Sequence, residues 1–133
     1  MGNINQIKKY EINQIKFDNG NISIIEKSSL PLLAFKRIFF VTSNSKSNRG
    51  DHAHKDCSQF IFSLKGSIKL ECDDGNEKKI FILIEQKFGV LVPPFIWTKQ
   101  YYPINDSILG VMCDYEFDEN DYIRDYSEFK NNL

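Results

Sequence analysis

The chain has 133 residues, of which 41% are hydrophobic and 14% aromatic, and its formal net charge at pH 7 is −1. This length fits one domain, residues 1–133, with a hydrophobic core of its own. The small net charge is unlike the basic surplus of a general nucleic-acid binder, and no apolar run approaches the roughly 18 residues of a membrane span, so we expect no nucleic-acid partner and no membrane partner.

Short segments rich in branched and aromatic residues recur about every ten residues, a spacing typical of all-β proteins. Turn residues at 18–20 and 73–76 separate two pairs of these segments. The pattern predicts an all-β barrel or sandwich. Its expected strands are 7–12, 21–26, 36–41, 59–64, 67–72, 79–84, 89–92, 95–102 and 108–114.

The C-terminal segment has a different period. Four residues there recur at helical spacing: Tyr122, Ile123, Tyr126 and Phe129. Acidic residues precede this segment and Lys130 follows it, which suits the dipole of a helix. We therefore predict a short C-terminal helix from about residue 122, packed across the β structure, and we expect the acidic stretch 114–121 to be solvated.

The chain contains only two histidines, His52 and His54, separated by one residue. On an extended strand, residues two apart share a face, so the two imidazoles should point to a common place. They follow a loop and precede the strand 59–64, and loops carried by a rigid scaffold often bear functional groups. The alternative is a pair of surface histidines without a role.

The spacing around the histidines is that of the first cupin motif, with Gly66 closing it and a second motif at Gly89 and Pro93. The residues that would complete a metal site are missing, because position 59 is Gln and position 98 is Thr. Imidazoles with only an amide and a hydroxyl bind divalent ions poorly. We expect no metal and no cofactor. Neutral imidazoles suit proton abstraction beside a carbonyl, as in an isomerase or an epimerase.

Further motifs accompany the histidine pair: Lys36-Arg37, Arg49-Gly50, Asp73-Asp74-Gly75, Pro94 with Trp97, Asp114-Tyr115, and Glu119-x-Asp121-Tyr122-Ile123-Arg124-x-Tyr126. Together they resemble the WxcM-like cupin 3,4-ketoisomerases of dTDP-4-oxo-6-deoxyglucose. The resemblance implies a jelly-roll β-barrel with a short C-terminal helix. It also implies a homodimer with exchanged N-terminal strands, and a role in deoxyaminosugar synthesis for surface glycans such as the O-antigen of lipopolysaccharide. His52 and His54 would be catalytic, with His52 favoured as the base.

Three positions depart from the family pattern. Phe39 stands where the family often has a catalytic tyrosine, which leaves the route of the proton open; Tyr115 is a candidate replacement for that hydroxyl. Thr98 stands where the family often has His or Arg, and Asn19 where some members have Arg. These last two positions leave the C4 configuration of the product undetermined.

Several side chains are candidates for substrate binding. Arg37 shares a strand face with Phe39, so both are expected to point inward. Arg37 and Arg49 would bind the pyrophosphate through charge-assisted hydrogen bonds, and a surface salt bridge is the alternative for Arg37. Gln59, on an otherwise apolar strand, would bond substrate or a histidine, whereas Phe39 would pack against the sugar.

Trp97 has two equal interpretations, as a core residue or as a ring that stacks on thymine, and Lys99 on the same strand face is a weaker phosphate candidate. Cys57, Cys72 and Cys113 lack metal spacing, which favours buried reduced thiols in a cytoplasmic protein.

Two rival functions stay open: a non-catalytic nucleotide-sugar-binding module and a dTDP-sugar 3,5-epimerase.

Overall fold

The computed structural model describes residues 2–30, 33–43, 45–103 and 106–133. Its strands are β1 (Lys8–Glu11), β2 (Asn13–Phe17), β3 (Gly20–Ile24), β4 (Arg37–Ser43), β5 (Ser47–His54), β6 (Gln59–Lys65), β7 (Ile68–Asp73), β8 (Lys78–Leu83), β9 (Phe88–Val92), β10 (Trp97–Tyr102), β11 (Ser107–Cys113) and β12 (Tyr122–Ile123). One α-helix, α1, spans Tyr126–Asn131, and short 3₁₀ turns cover Ile4–Gln6, Lys27–Ser29 and Glu119–Asp121.

The strands form two five-stranded antiparallel sheets, in the orders β1-β9-β6-β11-β4 and β12-β5-β10-β7-β8, and a separate hairpin of β2 and β3. These strands, together with the short helix α1, confirm the predicted all-β fold with a short C-terminal helix. The sheets are not closed into a barrel, so the predicted barrel is more accurately a sandwich.

The inner faces of the two sheets share one hydrophobic core. The first sheet contributes Ile61, Val90, Leu109 and Val111, and the second contributes Ile68, Leu70, Leu83 and Tyr102, all essentially buried. Burying such side chains contributes about 1.5–3 kcal/mol each, before entropy is counted. Near β4 and β5 the core side chains give way to polar ones, and a cavity opens between the sheets.

The predicted turn at 18–20 is present, but it joins β3 to a strand that the sequence analysis did not predict, β2. β1 instead pairs with β9 of the same chain. The β2–β3 hairpin leaves three large apolar residues half exposed: Ile15, Phe17 and Ile22. The Asp-Gly hairpin between β7 and β8 is confirmed, with Gly75 at a φ of 92°.

The predicted start of the C-terminal helix near residue 122 is wrong. Tyr122 and Ile123 extend the second sheet by pairing with β5, and α1 begins only after Asp125, whose carboxylate accepts the backbone N–H groups of Ser127 and Glu128. The helix does pack across the sheet, through the fully buried Phe129. Within the described residues, no helix combines the length and apolar character that crossing a bilayer requires.

Candidate active site

A β-bulge in β5 aims the two histidines. In the pairing with β10, Gly50 lies opposite Lys99 and His52 lies opposite Thr98, so Asp51 is an extra residue with no residue opposite it in this ladder. Gly50 and Asp51 both have positive φ, at 93° and 57°, and an added Cβ on Gly50 would lie 3.0 Å from the carbonyl oxygen of Thr98. The Gly in this motif is thus required by backbone geometry.

Beyond the bulge the strand alternates regularly, and His52 and His54 share its inner face as predicted. Their ring centroids lie 5.0 Å apart, nearly perpendicular. His52 faces a cavity of about 290 Å³. The residues that line this cavity are Phe39, Val41, Arg49, Gly50, His52, Gln59, Gln100, Val111, Tyr122 and Arg124. Four predicted site residues besides His52 therefore converge: Phe39, Arg49 and Gln59 at the cavity, with Arg37 beside them.

Asp121 fixes the orientation of His54. Its Oδ2 lies 2.8 Å from His54 Nδ1, while its Oδ1 accepts the backbone N–H of Asp56 at 2.7 Å. His54 and Asp121 are 5% and 9% exposed, and a buried carboxylate accepts rather than donates. Nδ1 therefore carries the imidazole proton. His54 Nε2 is left bare, buried and without a hydrogen-bond partner among the described residues.

Both histidines are held in the neutral form. Burial, followed by the electrostatic interaction with the neighbouring His54, lowers the pKa of His52 from 6.5 to about 4. Burial also lowers the pKa of His54, although its hydrogen bond to Asp121 opposes that change. At neutral pH, His52 is therefore an unprotonated imidazole that faces the cavity, ready to accept a proton.

Tyr122 packs on both imidazoles, with ring centroids 5.0 Å from His52 and 4.4 Å from His54. It reaches them because β12 pairs with β5, placing Tyr122 opposite His54. Arg124 lies 4.4 Å from the Tyr122 ring and forms a bidentate pair with the exposed Glu119.

The opposite wall is built from β4, β11 and β6. Arg37 and Phe39 alternate inward along β4 as predicted, with the guanidinium carbon 5.3 Å from the Phe39 ring. Gln59 is 5% exposed, and its amide nitrogen lies 3.6 Å from the Cys113 sulfur. Arg37 Nη2 contacts the same sulfur at 3.4 Å, and Arg37 Nε is buried without a partner among the described residues.

Three predicted site residues lie away from the cavity. Trp97 is 8% exposed and packs beneath α1, 5.2 Å from Tyr126 and 5.6 Å from Phe129, so its position is that of a core residue. Lys99 pairs with Asp51 at 3.3 Å on the outer face. Tyr115 is 46% exposed, and its ring contacts Lys36 instead of the site.

Four residues at or behind the cavity received no site role from the sequence: Gln100, Asp121, Tyr122 and Arg124. The last three lie in the Glu119-x-Asp121-Tyr122-Ile123-Arg124 motif, so the signal was present. It was missed because helical spacing placed Tyr122 on a helix and the acidic stretch was expected to be solvated. The expectation that this stretch is solvated is wrong for Asp121, which is buried against His54.

Comparison with known proteins agrees with this geometry. The family FdtA, described as WxcM-like, C-terminal, matches residues 5–133. The chain belongs to this family. It is 32% identical over 110 residues to TDP-4-oxo-6-deoxy-alpha-D-glucose-3,4-oxoisomerase of Aneurinibacillus thermoaerophilus, covering 82% of this chain and 78% of the relative.

Solved structures of similar proteins have the same architecture. A histidine-to-asparagine mutant of the 3,4-ketoisomerase QdtA from Thermoanaerobacterium thermosaccharolyticum, in complex with TDP-4-keto-6-deoxyglucose, superposes with a TM-score of 0.89 at 27% identity, covering 95% of this chain and 92% of QdtA. WlaRA, a TDP-fucose-3,4-ketoisomerase from Campylobacter jejuni, superposes with a TM-score of 0.85 at 29% identity, covering 96% and 95%. The predicted family and its cupin-type fold are thus confirmed.

Proposed function

We propose that the protein is a metal-independent isomerase that converts dTDP-4-oxo-6-deoxyglucose to the 3-oxo sugar. The observation that carries the proposal is a neutral His52 facing a 290 Å³ cavity, with the amide of Gln59 and the guanidinium of Arg37 on the opposite wall. The similarity to the Aneurinibacillus oxoisomerase, whose name gives this substrate and this reaction, supports it.

The reaction moves two protons, one from C3 to C4 and one from the C3 hydroxyl to the C4 oxygen, and it needs no external oxidant. His52 takes the proton from C3, next to the C4 carbonyl, and an enediol forms between the two carbons. Return of a proton to C4, with loss of the hydroxyl proton from the C3 oxygen, leaves the carbonyl at C3, so C3 is oxidised as C4 is reduced. A positioned base of this kind typically contributes about 10²–10⁴-fold to the rate.

Gln59 is the group we assign to the developing negative charge on the C4 oxygen. His54, which the family resemblance makes catalytic, does not suit this role, because its proton is on Nδ1, bonded to Asp121, and the bare Nε2 has no hydrogen to donate. His54 instead packs beside His52 and helps to lower its pKa. Preorganised N–H donors such as the Gln59 amide are effective because they need no rearrangement during the reaction.

The diphosphate is placed by Arg49. This residue lines both the His52 cavity and an adjacent polar cavity of about 370 Å³ that also contains Ser43 and Lys65. Arg37 lies beside the His52 cavity and would bind the diphosphate together with Arg49. Charge-assisted hydrogen bonds to phosphate oxygens would anchor the nucleotide there.

A homodimer with exchanged N-terminal strands is also part of the proposal. The β2–β3 hairpin exposes Ile15, Phe17 and Ile22, and the outer face of β4 exposes Ile38 and Phe40, which is the apolar surface that a second copy would cover. In the single chain, β1 occupies the edge of its own β9, and exchange would put the partner's β1 at that edge. Light scattering should give twice the chain mass, and Phe17→Ser should lower it.

We place the protein in the cytoplasm, in deoxyaminosugar synthesis for a surface glycan. Cys57, Cys72 and Cys113 support a reducing compartment, since all three are free and buried, as predicted.

Metal independence can be tested directly. Gln59 and Thr98 offer weak ligands, but His54, Cys57 and Asp121 bring one ligand atom each within 4.8 Å. Both Asp121 oxygens already accept hydrogen bonds, one from His54 Nδ1 and one from the backbone N–H of Asp56, so we expect a chelator to leave the rate unchanged. Loss of activity that one divalent ion restores would assign a metal to the trio instead.

The function is tested by incubating the protein with dTDP-4-oxo-6-deoxyglucose and following the sugar by NMR. We expect conversion to the 3-oxo sugar by the wild type and none by His52→Asn at the same concentration. Binding of the sugar nucleotide without conversion would instead identify a nucleotide-sugar-binding module.

A further inference from the structure

Three side chains form a row on neighbouring strands beside the cavity, which one of them, Gln59, also lines. In the β11–β4 ladder Cys113 lies opposite Arg37, and in the β11–β6 ladder it lies opposite Gln59. Residues directly opposite in adjacent strands point to the same side of a sheet. Cys113 therefore sits between the two groups that face the substrate from this wall, and it is completely buried.

The Cys113 sulfur is the acceptor at the centre of this row. It accepts hydrogen bonds from Arg37 Nη2 at 3.4 Å and from Gln59 Nε2 at 3.6 Å. The thiol of Cys57, 1% exposed, neighbours this sulfur but donates its own hydrogen bond to the backbone carbonyl of Ser58 at 3.4 Å. Two N–H donors, one of them from a permanent cation, therefore converge on a sulfur atom that has no exposure to water.

Such surroundings favour a thiolate, because hydrogen bonds and a cation stabilise the charged form. The neighbouring Cys57 thiol, followed by the hydrogen bonds from Gln59 and Arg37, lowers the pKa of Cys113 against the opposing effect of burial. The neighbouring Cys113 and burial raise the pKa of Cys57, so Cys57 stays a protonated thiol. The other ionisable groups near the row are Asp114 beside Cys57, and Tyr122 and His54 beside Arg37.

We propose that Cys113 is a positioning residue, a buried thiolate that holds the Arg37 guanidinium and the Gln59 amide in the orientation required by the substrate. With Nη2 fixed on the sulfur, Arg37 offers its unpartnered Nε to a ligand oxygen. With one amide hydrogen on the sulfur, Gln59 keeps the other for the C4 oxygen. This inference rests on the proposed ketoisomerase function where it is tested by kinetics. The spectroscopic test depends only on the geometry of the three side chains.

The spectroscopic test is a pH titration of thiolate absorbance in the far ultraviolet. Wild type should show one thiolate that forms well below the ~8.5 of an ordinary thiol. Cys113→Ser should remove that transition, and Cys57→Ala should move it to higher pH. Cys72→Ser is the matched control: Cys72 is equally buried, but burial raises its pKa to about 12, and it lies outside the row. If thiolate formation at low pH were still seen in Cys113→Ser, the proposal would be overturned.

The kinetic test separates positioning from simple core packing. Losing hydrogen bonds to a charged acceptor should lower kcat/KM by on the order of ten- to a hundredfold in Cys113→Ser, with weaker binding of free dTDP. Cys72→Ser should keep wild-type values at similar thermal stability. Wild-type kinetics in Cys113→Ser, or equal losses in both variants, would contradict the inference. An inactive wild type with an intact low transition would overturn the ketoisomerase function and leave the thiolate established.

Discussion

The two walls of the cavity carry different chemistry and are held by different means. The β5 wall presents His52 and His54, and it depends on a bulge at Asp51 and on Asp121, a residue 67 positions from His54 in the chain. The opposite wall presents Arg37 and Gln59 from regular ladders, without a bulge at these positions.

The difference indicates that the two walls have separate chemical roles. In the proposed mechanism the β5 wall moves the proton, because it holds the neutral imidazole of His52 at the cavity. The opposite wall would bind and polarise the substrate, because it holds N–H donors around one sulfur. Variants of the first wall should chiefly lower kcat, whereas variants of the second should chiefly weaken binding.

The largest effect is expected from His52→Asn. Removing the base should lower kcat by two or more orders of magnitude, since a base acts in the transition state. Binding of free dTDP, measured by calorimetry, should stay nearly unchanged, because the imidazole faces the sugar. Turnover at half the wild-type rate would show that another group is the base.

Asp121→Asn should have the next largest effect on the same wall. The amide can donate to His54 Nδ1, which would shift the imidazole proton to Nε2 and rotate or repolarise the ring beside His52. We expect kcat to fall by on the order of tenfold and the ¹⁵N shifts of His54 to report the other tautomer. Asp118→Asn, an exposed neighbour, is the control. An unchanged tautomer with an unchanged rate would remove Asp121 from the account.

Arg37→Ala should affect the other wall. Loss of the guanidinium should weaken binding of both free dTDP and the sugar nucleotide by on the order of tenfold, since a charge-assisted hydrogen bond is lost. Lys36→Ala removes an adjacent exposed cation outside the cavity and should leave both affinities unchanged. If dTDP affinity survives in Arg37→Ala, the arginine contacts the sugar end or does not contact the ligand.

The smallest change is expected from Phe39→Tyr, which adds one hydroxyl at a wall of the cavity. The wild type should already be active, because His52 can move a proton between adjacent carbons on one face of the sugar, and Tyr122 supplies a phenol nearby. Activity should be retained or should rise by a small factor in one isomerisation assay. An inactive wild type that the tyrosine rescues would identify the natural chain as a binder.

The sequence predicted the parts of the site that depend on local pattern. His52 and His54 could be placed because alternation along one strand is a local property, and Arg37 and Phe39 for the same reason. Asp121 and Cys113 could not, because their roles depend on which distant strands pair and in which register. Tyr122 shows most clearly what a local pattern cannot predict. It does recur at helical spacing in the sequence, but its pairing with β5 makes it part of a strand.

The central claim, that a base on the β5 wall moves a proton from C3 to C4, is tested most directly in D₂O. The protein is incubated with dTDP-4-oxo-6-deoxyglucose, and deuterium in the sugar ring is located by NMR. A ketoisomerase should form the 3-oxo product, with deuterium at C4 to the extent that the proton held by His52 exchanges with solvent before it is returned. Label at C3 and C5 would instead show an epimerase, and an unlabelled, unconverted sugar would contradict catalysis altogether.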